Sequence, residues 1–297
     1  MQTSKSVYQP LKMLSRLTKQ IYKSIVGSST SGSSIVGGRA PSSIPAVVTI
    51  ADFTRSSSDR REDEALETKW KSFSDADFGG RSRASLTRKK RTSTSGGGGG
   101  GGGGSSSGSS SEGVLFEGHL DSSVPSLRDE KMREIRSLKR SGFAGFGWND
   151  VKVNMRLEND EEEEAEEIEL EYFSHARFTM RNYDGRAYVC SIKTERDAFG
   201  NGEHDLWQAF LLAPKTSEKS THWTELTVPL SQFVKTYKGG VVESQTIGGK
   251  DSLRRRGNMR TIGIACGGLE SGKGEMDGPF RLEVKKIELL DEERAKL

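Results

Sequence analysis

From Trp70 onward the apolar residues recur at every second position, in short runs punctuated by Gly, Asp and Pro. Side chains that alternate with period two line one face of a strand, so this pattern commits the chain to half-buried β-structure. In AYVCSIKT, Tyr188, Cys190 and Ile192 share a face, and in RTIGIAC so do Ile262, Ile264 and Cys266. The stretch FRLEVKKIELL places Phe280, Leu282 and Val284 on one face and then changes parity to Ile287 and Leu289. A parity change inside one strand predicts a bulge at Lys285 and Lys286. Further segments lie near Trp70 to Phe73, Ala84 to Thr87, Val114 to Leu120, Phe143 to Trp148, Arg177 to Arg181, Leu206 to Leu211 and Trp223 to Leu230. Between them the best helical candidate is Val124 to Ser141, too little for a βαβ parallel sheet. The expectation is an all-β sandwich in a single domain over residues 66–292.

Two segments interrupt the alternation. Residues 88–112 run from a basic cluster through Ser and Thr into nine consecutive glycines, Gly96 to Gly104, and residues 157–171 hold ten acids among fifteen positions. Neither has the apolar content to offset the entropy of ordering, so both are expected to be low-complexity, disordered insertions between strands. They help explain a hydrophobic fraction of only 32%.

The N-terminal part has a different character. On a helical wheel Leu14, Leu17, Ile21 and Ile25 fall together and Lys12, Arg16, Lys19 and Lys23 fall opposite, with Gly27 as a stop. A Ser/Gly-rich stretch without acids follows, and residues 1–50 carry six Lys or Arg and no Asp or Glu. This combination is that of an organelle transit peptide, so residues 1–60 are expected to be a transit peptide and disordered tail, mitochondrial in preference to chloroplast. The tail also explains the net charge of +3, because the remaining residues hold 39 basic and 42 acidic side chains. The basicity is thus no sign of a nucleic-acid partner. No apolar stretch reaches the ~18 residues of a membrane-spanning helix.

Chemistry-bearing patterns are sparse. Cys190 and Cys266 are too few for a disulfide framework and sit on apolar strand faces, which suits buried, reduced thiols. The four histidines show no metal-ligand spacing. GGLESGKG approximates a phosphate-binding loop, but Gly274 replaces the Ser or Thr that would hold magnesium, and another strand follows in place of a helix. SGFAGFGW, with Gly142, Gly145 and Gly147, suits close strand packing or a bulge. Asp75 and Asp77, with Gly79 and Gly80, suit a tight turn and could also supply oxygen ligands to calcium. Trp207 and Trp223 lie on successive segments, where each could fill a sandwich core or stack on a sugar. Arg254, Arg255 and Arg256 form a basic turn, either solvated or facing an acidic partner. Asp75, Asp77, Trp207, Trp223 and Arg254 to Arg256 are therefore the candidate partner or ligand surface. No catalytic, metal or cofactor residue is expected.

Taken in order, KWKSFSDADFGGRSRASLT, VLFEGHLD, RSGFAGFGW, YDGRAYVCSIKT, DLWQAFLL, WTELTVPLSQF, RTIGIACGG and GPFRLEVKKIEL resemble the complex I intermediate-associated protein family. These are thirty-kilodalton-class assembly factors of respiratory NADH:ubiquinone oxidoreductase. The resemblance spans Trp70 to about Leu290. It implies a galactose-binding-like jelly roll with no enzymatic activity, and a chaperone-like factor that holds complex I assembly intermediates with other assembly factors, peripheral to the matrix side of the inner mitochondrial membrane. It implies neither a nucleic-acid partner nor a small-molecule substrate. Two alternatives stand beside it. One is a carbohydrate-binding module, since such sandwiches present aromatic residues to sugars. The other is a plastid factor for photosynthetic complex biogenesis, although no dinucleotide-binding domain accompanies the motifs here, as it usually does in such plastid proteins.

Overall fold

The structure is a computed structural model that describes residues 45–54, 69–78, 80–90, 111–123, 142–149, 151–154, 165–194, 205–237, 240–242, 257–267 and 277–291. Fifteen strands occur among them: β1 (Val47–Asp52), β2 (Trp70–Ser74), β3 (Arg83–Lys90), β4 (Ser111–Leu120), β5 (Phe143–Asn149), β6 (Lys152–Asn154), β7 (Ala165–Glu169), β8 (His175–Asn182), β9 (Tyr188–Thr194), β10 (Asp205–Leu211), β11 (Thr224–Pro229), β12 (Val234–Tyr237), β13 (Gly240–Val241), β14 (Asn258–Gly267) and β15 (Gly278–Leu290). The other regular elements described are three short 3₁₀ turns, at Asp75–Phe78, Leu170–Tyr172 and Leu230–Gln232.

The strands form two antiparallel sheets that pack as a jelly-roll sandwich. One has six strands in the order β11-β8-β15-β4-β3, with β1 also on β15; the other has nine, β13-β12-β10-β9-β14-β5-β2, with β7 beside β14 and β6 beside β7. Chain neighbours such as β2 and β3, β4 and β5, β8 and β9, and β14 and β15 lie in different sheets, so the connections repeatedly cross from one layer to the other. The inward-facing rows interlock through aromatic rings. Phe116 and Phe280 of the smaller sheet lie 4.8 Å apart, and Phe116 lies 4.9 Å from Phe146 of the larger. Trp70 extends the cluster to Phe146 at 5.8 Å, Trp148 at 5.9 Å and Phe53 at 5.4 Å. Such rings bury large areas in tilted and edge-on contacts and bind the two layers into one core.

The parity change in β15 is a bulge. Its register against β8 shifts between Val284 and Lys286, which returns Ile287 and Leu289 to the core. Its other neighbour changes at the same place, from β4 up to Val284 to β1 from Lys286 onward. The carbonyl of the bulged Lys285 accepts the N–H of Phe53 at 2.9 Å. Were all these residues kept in a regular strand with no bulge, period-two geometry would turn Ile287 and Leu289 to the outside.

Three boundaries expected from the sequence need correction. Residues 46–54 are no part of a disordered tail: β1 pairs with β15, and Val48, Ile50, Ala51 and Phe53 are buried. In the acidic segment, Ala165 to Glu169 form β7 and Leu170 to Tyr172 a 3₁₀ turn. Ile168 and Leu170 are spaced two apart and both are fully buried, enough to anchor the strand on β14 while Glu167 and Glu169 remain outside the core. In the glycine-rich segment, residues 88–90 and 111–112 belong to the β3–β4 pair. The amphipathic stretch near residues 11–27, the candidate helix at 124–141, and residues 91–110 and 157–164 lie outside the described residues.

Candidate functional site

The motif SDADFGGRS builds a turn between the sheets. Asp75 follows β2, and its fully buried carboxylate folds back, with Oδ1 accepting the Ser82 N–H at 2.7 Å. Its Oδ2 accepts the Ser82 hydroxyl at 3.1 Å and the Gly142 N–H at 2.5 Å. Ser74 Oγ donates to the Ser82 carbonyl at 3.0 Å. One carboxylate thus ties the end of β2, the start of β3 and the residue that leads into β5. Gly80 is required because a Cβ there would lie 2.3 Å from Asp75 Cγ.

The motif NYDGRAY forms a second clasp, between β8 and β9. Asn182 Oδ1 accepts the Gly185 N–H at 2.9 Å, while its Nδ2 donates to the carbonyls of Arg186 and Ala213, both at 2.9 Å. Asp184 Oδ2 accepts the Tyr188 hydroxyl and the Arg281 N–H, both at 2.7 Å. Gly185 has φ +77, a left-handed backbone that glycine adopts without strain. Burial, followed by the neighbouring Asp184 charge, pushes the Tyr188 hydroxyl well above the ordinary phenol range.

The most concentrated polar chemistry lies on the outer face of the six-stranded sheet. Glu283 of β15 is fully buried, and its Oε2 accepts from Tyr183 OH at 2.6 Å, Lys89 Nζ at 3.3 Å and Arg181 Nη1 at 3.4 Å. Its Oε1 has no hydrogen-bond partner among the described residues. The guanidinium of Arg181 also donates to the carbonyls of Thr221 at 2.5 Å and His222 at 3.3 Å, which lashes the β10–β11 connection over the sheet. Desolvation first, and then the bond to Glu283, raise the Tyr183 hydroxyl pKa.

Only some of the residues expected at a ligand surface lie where a ligand could reach them. Asp75 is fully buried in the turn, so it is corrected from a surface residue to a structural one. Asp77 is exposed, with Oδ2 accepting the Ser74 N–H at 2.9 Å in the same turn. Trp207 is likewise corrected, because its indole is 1% exposed on the inner face of β10. Trp223 is half-buried just before β11, with the Arg181 guanidinium 4.0 Å and the Lys285 ammonium 5.7 Å from its ring centre. The Trp207 ring is therefore closed to a sugar, and the Trp223 ring is engaged by two cations. Arg254, Arg255 and Arg256 lie outside the described residues.

Sequence reasoning missed Glu283, Arg181 and Lys89. Their outward parity was legible, but nothing local in the sequence shows that the chain near Thr221 covers that face. Catalytic geometry is thin. Ser174 Oγ lies 2.8 Å from His175 Nδ1 and also reaches the Leu290 carbonyl at 3.2 Å, a polar junction where β8 meets β15. Burial raises the Cys190 thiol pKa and pushes that of Cys266 up to about 12, so neither is an activated nucleophile at neutral pH. Among the described residues no group of three or more His, Cys, Asp or Glu is placed to hold a metal, and no helix is long and apolar enough to cross a membrane.

A two-sheet jelly roll whose distinctive glycines, carboxylates and hydroxyls fasten the crossovers between its layers defines the class of this protein. The chain belongs to the complex I intermediate-associated protein 30 (CIA30) family, whose model matches residues 53–284. No curated protein matches the sequence. Among solved structures it is similar to the family 11 carbohydrate-binding module of the cellulosomal cellulase Lic26A-Cel5E of Clostridium thermocellum, at 12% identity over 75% of this chain and 87% of that one, with a TM-score of 0.38. A complex of the Clostridium thermocellum family 11 module with a β-1,3-1,4-mixed-linked tetrasaccharide is similar at 13% identity over 75% and 89% of the two chains, TM-score 0.36. A family 30 carbohydrate-binding module is similar at 11% identity over 59% and 75%, TM-score 0.31. Likenesses this remote carry no argument about a ligand.

Proposed function

We propose that this protein is a non-enzymatic, chaperone-like assembly factor that binds intermediates of mitochondrial respiratory complex I together with other assembly factors, on the matrix side of the inner membrane and peripheral to it. The observation that carries this reading is the family match over residues 53–284, which takes in nearly the whole sandwich. The polar groups described above support a binding role over a catalytic one, because Asp75, Asn182, Asp184 and Glu283 are spent on internal bonds. Partner contact then falls to the outer faces, edges and loops of the sandwich, with Asp77, Trp223 and the basic turn Arg254 to Arg256 as candidate contributors.

The test is deletion of the gene, followed by native gels of organelle membranes. The expected result is loss of fully assembled complex I, accumulation of partial assemblies, and co-migration of the wild-type protein with those assemblies after re-expression. Normal complex I in the deletion strain would count decisively against the reading. A fluorescent tag behind residues 1–60 separates mitochondrial from plastid import in the same strain.

A further inference from the structure

We infer that the outer face of the nine-stranded sheet, around Phe73, is an interaction surface that takes an amphipathic α-helix of a partner protein, one with acids beside its apolar stripe. The inference rests on the assembly-binding reading for its setting and names the place and chemistry of the contact. The two outer faces of the sandwich differ. On the six-stranded sheet Glu283 is bonded to Lys89 and Arg181, and Glu288 to Arg177 and Lys286, so that face is finished with its own ion pairs. On the nine-stranded sheet one outward row runs in register across five strands as Phe73, Gly145, Ala265, Val189 and Phe210. The outward row of a solvated antiparallel sheet is ordinarily polar, and this one holds no polar side chain.

The row is apolar and low in relief. A Cβ on Gly145 would collide with the Phe73 ring and stand 3.0 Å from Ala265 Cβ, so the glycine lets the phenyl group lie flat on the sheet, where it remains 41% exposed. Leu212, just past the end of β10, is 49% exposed. From Phe73 to Phe210 the row crosses four strand spacings, about 19 Å, the length of about thirteen helical residues. Exposed apolar groups that are joined in this way mark a contact surface, which an isolated surface side chain does not.

The form and the charge of the occupant follow from the same strands. β5, β14 and β9 are each paired on both sides, so the face offers side chains and no backbone groups. An extended segment laid on it would bury its own unpaired N–H and C=O groups, whereas a helix arrives with its backbone bonds closed. β2, β5, β14 and β9 contain no Asp or Glu at any position. Lys71 and Lys193 stand exposed on this face, in register with Gly147 and Thr261, and neither has an ion pair among the described residues. Acids beside the apolar stripe of the helix answer these two charges. A second copy laid face to face would bring lysines toward lysines. A bilayer takes up apolar groups that reach about 5–10 Å into it, and here the Phe73 ring lies flat while Val189 and Phe210 are half-buried.

The probe is a synthetic peptide with leucines at helical spacing and glutamates beside them, offered to the full chain and followed by fluorescence anisotropy. The expected result is binding that weakens with salt. A version with a central proline, which breaks the helix, and a version with lysine for glutamate should each bind at least about tenfold less tightly. The exposed double variant Lys71→Glu/Lys193→Glu should lose the glutamate peptide to a similar degree, gain the lysine peptide, and keep the wild-type melting profile. Phe73→Ser should lose the glutamate peptide as well. Equal binding of the proline peptide would overturn the helix, and an unchanged preference in the double variant would overturn the location. Binding of the wild-type chain to anionic vesicles in place of the peptide, or a dimer that Phe73→Ser abolishes, would assign the face to a membrane or to a second copy, and either overturns the inference. The two readings fail separately. If the peptide does not bind while the wild-type chain still co-migrates with partial complex I on native gels, the face is wrong and the assembly role stands. If the wild-type chain never co-migrates, the assembly role is lost and the peptide alone decides the face.

Discussion

Truncation of Phe53 to alanine is expected to destabilise the sandwich by about 3–5 kcal/mol, the range for removal of a fully buried aromatic side chain. The ring is 0% exposed, lies edge-on to Trp70 at 5.4 Å, and closes the end of the core where β1 passes over the bulge in β15. Its backbone N–H is bonded to the Lys285 carbonyl and stays so in the variant, so the loss is one of packing. For a domain of this size about 2–4 °C of melting temperature accompanies each kcal/mol, which gives a drop of about 6–20 °C. Urea unfolding of the full chain, followed by tryptophan fluorescence, measures it, because Trp70 reports on the vacated space. Val47→Ala is the control: Val47 stands in the same strand, is 37% exposed, and should change stability by no more than about 0.5 kcal/mol. A Phe53→Ala variant within about 1 kcal/mol of wild type would refute the burial of Phe53 in the core beside β1.

Five further outcomes follow from the same structure. Asp75→Ala orphans two buried backbone donors, Ser82 N and Gly142 N, at about 1–3 kcal/mol each, while the Ser82 hydroxyl keeps the Asp121 carbonyl within 3.5 Å, so its urea midpoint should fall about as far as that of Phe53→Ala. Glu283→Gln removes the buried charge that Arg181, itself 5% exposed, and Lys89 face, and should cost about 3–5 kcal/mol in the same assay. By contrast Lys89→Ala removes a side chain that is 36% exposed and should cost about 1 kcal/mol or less. In alkali the protein should lose stability before its surface charge explains it. The phenols of Tyr183 and Tyr188 and the thiols of Cys190 and Cys266 are raised from ordinary values of 10.0 and 9.0, so the folded state holds their protons while the unfolded chain releases them. Stability is then complete below about pH 8.5 and falls above it, by roughly 2 kcal/mol per buried thiol at about pH 10.5; a flat urea midpoint across that window would contradict the burial. Finally, if the N-terminal segment is removed on import, N-terminal sequencing of the organelle protein should find the first residue before Val47, since cleavage beyond Phe53 would remove β1.

How much of this was legible in the sequence differed by element for physical reasons. The bulge in β15 was readable because five apolar residues report the parity of a single strand, and one inserted residue changes it in full view. β1 was overlooked because VVTIAD follows a basic, Ser/Gly-rich stretch, and its pairing with β15 spans almost the whole chain, a distance at which local composition is silent. β7 was hidden in a run of carboxylates, although Ile168 and Leu170 already showed period two. The Glu283 cluster could not be found at all. Outward parity normally means solvent, and what buries Glu283 is the connection near Thr221 and His222 lashed down by Arg181, a contact between residues far apart in the chain.

The residues that most clearly mark the family turned out to be those that hold the two sheets together. The SDADFGGRS turn, Gly142 before β5, and the NYDGRAY clasp all sit where the chain crosses between layers, and each uses a carboxylate or amide to satisfy backbone groups that a crossover leaves without a ladder partner. A buried crossover has little freedom, because an unpaired N–H there costs free energy comparable to a lost hydrogen bond and a glycine with left-handed φ accepts no side chain without strain. A strand edge or outer face carries no such constraint and is free to specialise for its partner. A motif built from such crossover residues therefore identifies the scaffold and says little of what its outer faces do.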